Sequence, residues 1–148
     1  MTAVGIVLVS GCVAGVLDIA ATGLVMRAQG MSFRRLLQFV ASGVLGSAAF
    51  EGGSRTAAMG LTLHFLIAWF WALIYGAAAD LWPVLLLHPV MCGALFGVVV
   101  HLAMSQGVVR LSRAARRPFA WKAWLTQLAI HMVCVGWPVA LIESLGSR

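Results

Sequence analysis

The chain has 148 residues, 62% of them hydrophobic and 9% charged, and carries a formal charge of +6. A soluble domain is nearer half apolar and a quarter charged, so the composition excludes a freely soluble globule and indicates an integral membrane protein. The positive balance does not point to nucleic acid, because the Lys and Arg residues fall almost wholly within 27–55 and 110–122, beside apolar stretches.

Residues 3–26 read as a first span, interrupted only by Asp18. No positive charge precedes this run, so a conventional signal peptide is not expected. Residues 36–50 are apolar but too few to cross a bilayer. Arg34, Arg35, Gln38 and Ser42 recur on one helical face there, with Leu37, Phe39, Val40 and Val44 around the other. That pattern predicts a short interfacial or re-entrant helix over about 33–50, ended by Gly52-Gly53. The second span is expected over 57–79, ending at Asp80 and Trp82. Pro83 turns the chain into a third span over 84–108, and the fourth covers 121–143. Trp82, Trp121, Trp124 and Trp137 gather at span ends as an interfacial belt, whereas Trp69 and Trp71 lie deeper and should pack the interior. The expected fold is therefore all-α, a polytopic four-helix membrane bundle forming one domain over 1–148.

Arg27, Arg34, Arg35 and Arg55 flank one connection, and Arg110, Arg113, Arg116, Arg117 and Lys122 flank another. Connections rich in Lys and Arg stay in the cytoplasm, which places both termini outside it. Arg34, Arg35, Arg113, Arg116 and Arg117 are the expected contacts with anionic lipid headgroups. Glu143 reads as part of the outer end of the fourth span. Cys12, Cys92 and Cys134 lie within spans, so no disulfide framework is indicated.

Each span carries one ionisable residue nine positions from a basic residue at its end: Asp18 with Arg27, His64 with Arg55, His101 with Arg110, His131 with Lys122. Nine helical residues rise about 13 Å, so the four would share one layer inside the bilayer. Each also lies on the small or polar stripe of its helix. Gly11, Gly15, Asp18 and Thr22 share a face, as do Gly60, His64 and Ala68 in the second span. Gly93, Gly97, His101 and Ser105 do so in the third, and Gln127, His131, Cys134 and Pro138 in the fourth. Ionisable groups in hydrocarbon are costly, and the default reading is a functional site.

One carboxylate and three imidazoles suit a tetrahedral divalent metal site at Asp18, His64, His101 and His131. Two of the histidines could instead ligate haem iron, or one a chlorophyll magnesium, with Gly60 and Gly97 leaving space for the macrocycle. Without a metal the group would relay protons, because imidazole titrates near neutrality. Ser105, Gln106, Thr126 and Gln127 would then supply a wet path. The plain structural alternative is interhelical hydrogen bonding, which contributes about 0.6 kcal/mol per bond.

A competing function is an accessory subunit of a larger, energy-converting membrane complex, assembled through the GxxxG faces at Gly11/Gly15 and Gly93/Gly97, which could equally pair two copies of this chain. Glu51 and Arg55 are spaced to pair, and His88 reads as interfacial. Hydrolytic chemistry has little support, since no GxSxG elbow is present.

The stretches Ala14-Gly15-Val16-Leu17-Asp18-Ile19, Ala49-Phe50-Glu51-Gly52-Gly53, Leu63-His64-Phe65, His88-Pro89-Val90 and Ile130-His131-Met132 resemble a family of small, uncharacterised bacterial multi-pass membrane proteins. The resemblance covers most of the chain. It implies a four-helix protein of the bacterial inner (plasma) membrane and supplies no activity. It also implies that Asp18, His64 and His131 form the shared set, because that family more often has an aromatic residue at the position of His101.

Overall fold

The structure is a computed structural model and describes residues 1–114 and 119–147. Arg116 and Arg117, two of the expected lipid contacts, lie outside the described residues. Helix α1 spans Ala3–Ala28, and its Thr2 cap accepts a hydrogen bond from the Gly5 amide at 3.2 Å. Helix α2 spans Phe33–Leu45, capped by Ser32, and a tight turn at Gly46–Phe50 follows. Helix α3 spans Gly53–Leu81, α4 Val84–Leu87, α5 Pro89–Leu111 and α6 Trp121–Gly146. Among the described residues, α1, α3, α5 and α6 are long and apolar enough to cross a membrane. The fold is an all-α four-helix bundle.

The third span departs from expectation, because it is not continuous from residue 84. His88 leaves the helical region, at φ −123° and ψ 58°, and separates α4 from α5. A residue before proline is pushed out of the helical region, and Pro89 opens the next helix without needing a backbone partner. The segment 33–50 does not cross the bundle. Gly23 of α1 faces Phe33 and Leu36, Gly60 of α3 is covered by the backbone at Leu37 and Ala41, and the Arg113 amide donates to the Gly43 carbonyl at 2.9 Å. Helix α2 therefore runs across the basic end of the bundle, from α1 past α3 to the end of α5.

Its faces also differ from expectation. Gln38 and Ser42, placed with Arg34 and Arg35 on the polar side, are both buried. Gln38 Nε2 donates to the Gly53 carbonyl at 3.1 Å and so ties α2 to the start of α3. Arg34, Arg35 and Arg113 are exposed, with the Arg35 guanidinium 4.3 Å from the centre of the Phe50 ring. Glu51 and Arg55 are exposed and form no ion pair with each other. Between them Gly53 takes φ 58°, which interrupts the helical register that the pairing needs.

Helix α1 packs between α3 and α6, and α5 packs on α6. Both GxxxG faces are consumed inside the chain. Gly11 receives the Trp69 ring, and Gly15 receives Phe65 and Ala68. Gly93 and Gly97 meet the α6 backbone at Gly136, His131 and Met132. Neither face is open for assembly between chains. Helices α3 and α5 meet through rings, with Tyr75 and Phe96 centred 4.9 Å apart and Trp71 and Phe96 6.1 Å apart. The close-packed core at that level comprises Ala14, Ala72, Tyr75, Val100, Val139 and Ala140.

Candidate functional site

A cavity of about 370 Å³ occupies the basic half of the bundle, walled by all four long helices and by Leu36, Phe39 and Val40 of α2. Asp18, His64, His101 and His131 all line it. The lining is otherwise mainly apolar, with Ile67 and Trp71 from α3 and Met104 from α5. Of the residues expected to form a wet path, Ser105 and Gln127 line the cavity, whereas Gln106 and Thr126 are exposed on the outside.

The four ionisable residues form two pairs. In the first, His64 Nδ1 lies 4.0 Å from Asp18 Oδ2, and both side chains are largely buried. The other nitrogen, Nε2, sits 2.9 Å from the Gly15 carbonyl. A carbonyl only accepts, so Nε2 carries a proton and neutral His64 presents a bare lone pair to the carboxylate. Two acceptors then face one another, and a single added proton would join them.

In the second pair, His101 Nδ1 and His131 Nδ1 are 3.4 Å apart, and His131 Nδ1 donates to the Gln127 carbonyl at 2.8 Å. Neutral His101 therefore offers a lone pair at Nδ1 and carries its proton on Nε2. Among the described residues that Nε2 and the Oδ1 of Asp18 have no hydrogen-bond partner, and both residues line the cavity. Trp124 closes over His101 in a T-shaped contact with ring centres 4.8 Å apart. Gln127 Nε2 donates to Thr22 Oγ1 at 3.1 Å and fastens α6 to α1 at the edge of the site.

Local backbone geometry contributes as well. The turns at Ala103–Val108 and His131–Gly136 are π-helical, a wide turn that recurs at functional sites. One begins at His131 and the other two residues after His101, so both histidines of the second pair sit where α5 and α6 leave regular α geometry. Spacing rules that assume a regular helix do not reveal this.

The space expected for a macrocycle is absent. A side chain at Gly60 would meet the Leu37 carbonyl, and one at Gly97 would meet His131 and Met132 backbone. These glycines admit neighbouring helices rather than a ligand, which removes the argument for haem or chlorophyll. The tetrahedral metal set is not assembled either: among the described residues no three His, Cys, Asp or Glu side chains form a group able to hold a metal ion. The helix order separates Asp18 and His64 from His101 and His131, so the shared layer yields two pairs instead of one centre.

Glu143, at the outer end of the fourth span, is only 5% exposed. Its Oε1 accepts from Ser10 Oγ at 3.2 Å, linking α6 to α1 near the end opposite the basic connections. The signal that could have found it is the small-residue stripe Gly136, Ala140 and Ser144, all buried, beside which Glu143 falls.

The fold and the cavity define a helical membrane bundle with an apolar interior that holds a few ionisable side chains. Comparison with family models, with curated proteins and with solved structures finds no match.

Proposed function

We propose that this chain is an integral protein of the bacterial plasma membrane that binds and passes protons through the cavity formed by Asp18, His64, His101 and His131. The observation that carries this reading is the Asp18–His64 contact. Its geometry commits His64 Nε2 to Gly15 and leaves two acceptors facing across 4.0 Å. One added proton turns the two facing acceptors into an ion pair, whose attraction is larger in a low-dielectric interior than in water. The His101–His131 pair lines the same cavity and supplies the neighbouring proton-exchanging groups. The basic connections would face the cytoplasm, so the cavity would load from that side.

The test is proton flux into vesicles that contain the purified protein and a pH-sensitive dye, under an imposed pH gradient. Wild-type protein is expected to conduct protons, and Asp18→Asn to fall to the level of empty vesicles while keeping its helical content. Equal flux in wild type and Asp18→Asn would overturn the proposal. So would near-stoichiometric zinc, manganese or another divalent ion in the purified protein, because a bound metal would occupy the imidazole lone pairs the proton reading needs.

A further inference from the structure

Glu143 is a buried carboxylate that the cavity does not use, and its surroundings repeat the logic of the Asp18–His64 contact. Ser10 Oγ has one hydrogen and two acceptors at the same distance: the Val7 carbonyl at 3.2 Å and Glu143 Oε1 at 3.2 Å. A serine hydroxyl donates once. When its hydrogen goes to Val7, the Ser10–Glu143 contact is held only if the carboxyl carries a proton and donates to the hydroxyl oxygen.

The other groups around Glu143 supply no substitute. From α3, the Tyr75 hydroxyl is committed to the Leu85 carbonyl at 3.0 Å. Asp80 of the same helix acts on Glu143 as a like charge. Gly76 keeps α3 close, since a side chain there would reach both carboxylate oxygens at 3.5 Å. Among the described residues no Lys, Arg or His forms an ion pair with Glu143. An ionised carboxylate in an apolar bundle with neither a cation nor a dedicated donor is costly.

We infer that Glu143 and Ser10 form a second proton-binding site, at the end of the bundle opposite the basic connections. Ser10 and Asp18 are eight residues apart on α1, so the two sites lie about 12 Å apart along the helix axis. Ala14, Ala72, Val100, Val135 and Val139 fill the apolar core at the level of Ala14, midway between Ser10 and Asp18 on α1. The arrangement places one proton site in each half of the bundle, with an apolar layer between them. It extends the proton-handling reading but stands on different residues.

The chain's acidic side chains are Asp18, Glu51, Asp80 and Glu143, which makes the test specific. Protein carrying carboxyl-¹³C glutamate, reconstituted in lipid, is examined by infrared difference spectroscopy. At neutral pH the label is expected to shift a protonated carboxylic acid band, and Glu51→Gln should leave that shift intact. Ser10→Ala should move the band by removing its hydrogen-bond partner, and Glu143→Gln should abolish it. A label that reports only ionised carboxylate from neutral to mildly acid pH overturns the inference in the wild-type protein, without reliance on a variant that must fold. So does a band that Ser10→Ala leaves in place. The same experiment with carboxyl-¹³C aspartate reads Asp18 separately, so failure at Glu143 and failure at the cavity are distinguishable.

Discussion

The same GxxxG pattern is used in two different ways in this molecule. Along the α5–α6 seam, Gly93, Gly97 and Gly136 bring backbone against backbone, so that a side chain on Gly136 would overlap the Gly93 carbonyl. Along the α1–α3 seam, Gly11 and Gly15 form notches that receive the rings of Trp69 and Phe65. The first use draws two helices together, and the second fills space with bulky side chains. The difference bears on the site. Helices α5 and α6 converge closely enough to put His101 beside His131 at 3.4 Å. Helices α1 and α3 are spaced by rings, and the Asp18–His64 contact stays open at 4.0 Å.

Substitutions can break or sharpen this contrast. Gly136→Ala should have the largest effect, because neither backbone can yield. Overpacking of that kind costs about 3 kcal/mol at its upper end, read as a lowered unfolding midpoint in mixed micelles. Gly11→Ala should cost about 1 kcal/mol, since much of the added contact is with a ring that can rotate. Combining it with Trp69→Leu should recover part of that loss, and equal losses for Gly136→Ala and Gly11→Ala would erase the distinction between the seams. Gln127→Ala should be mildest, about 0.6 kcal/mol, as expected for one interhelical hydrogen bond in a membrane. Its sharper readout is the opening rate of the α1–α6 contact at Thr22, measured by amide exchange.

Much of the architecture is legible from residue pattern alone. The stripe Gly11, Gly15, Asp18 and Thr22 is dictated by helical periodicity, and the structure turns Gly11, Gly15 and Thr22 into buried contacts. Four apolar runs of spanning length declare four spanning helices. What periodicity cannot contain is the order of helices around the bundle. The choice of His64 as partner of Asp18, and of His131 as partner of His101, is decided there. Gly60 and Gly97 misled for a related reason: a glycine leaves a gap, but the sequence does not say whether a ligand or a helix enters it. Gln38 and Ser42 belonged to a polar face on the helical wheel, yet α3 supplies a carbonyl for Gln38 and draws that face inward. The burial of Glu143 is not legible in the sequence, because a carboxylate at the end of a span has the same pattern whether it meets water or Ser10.

Helix α2 carries a consequence for how the chain is made. It forms a wall of the cavity, but its partners at Gly60 and at Arg113 lie later in the chain. Synthesis runs from the N-terminus, so residues 33–45 emerge before the α3 and α5 partners that they meet in the folded chain. In the folded chain Phe33 and Leu36 of α2 sit against Gly23, and its remaining contacts are with α3 and the end of α5. The cavity thus takes one wall from a segment that precedes most of its partners in the chain, and its last wall, at Gln127, His131 and Val135, comes from α6.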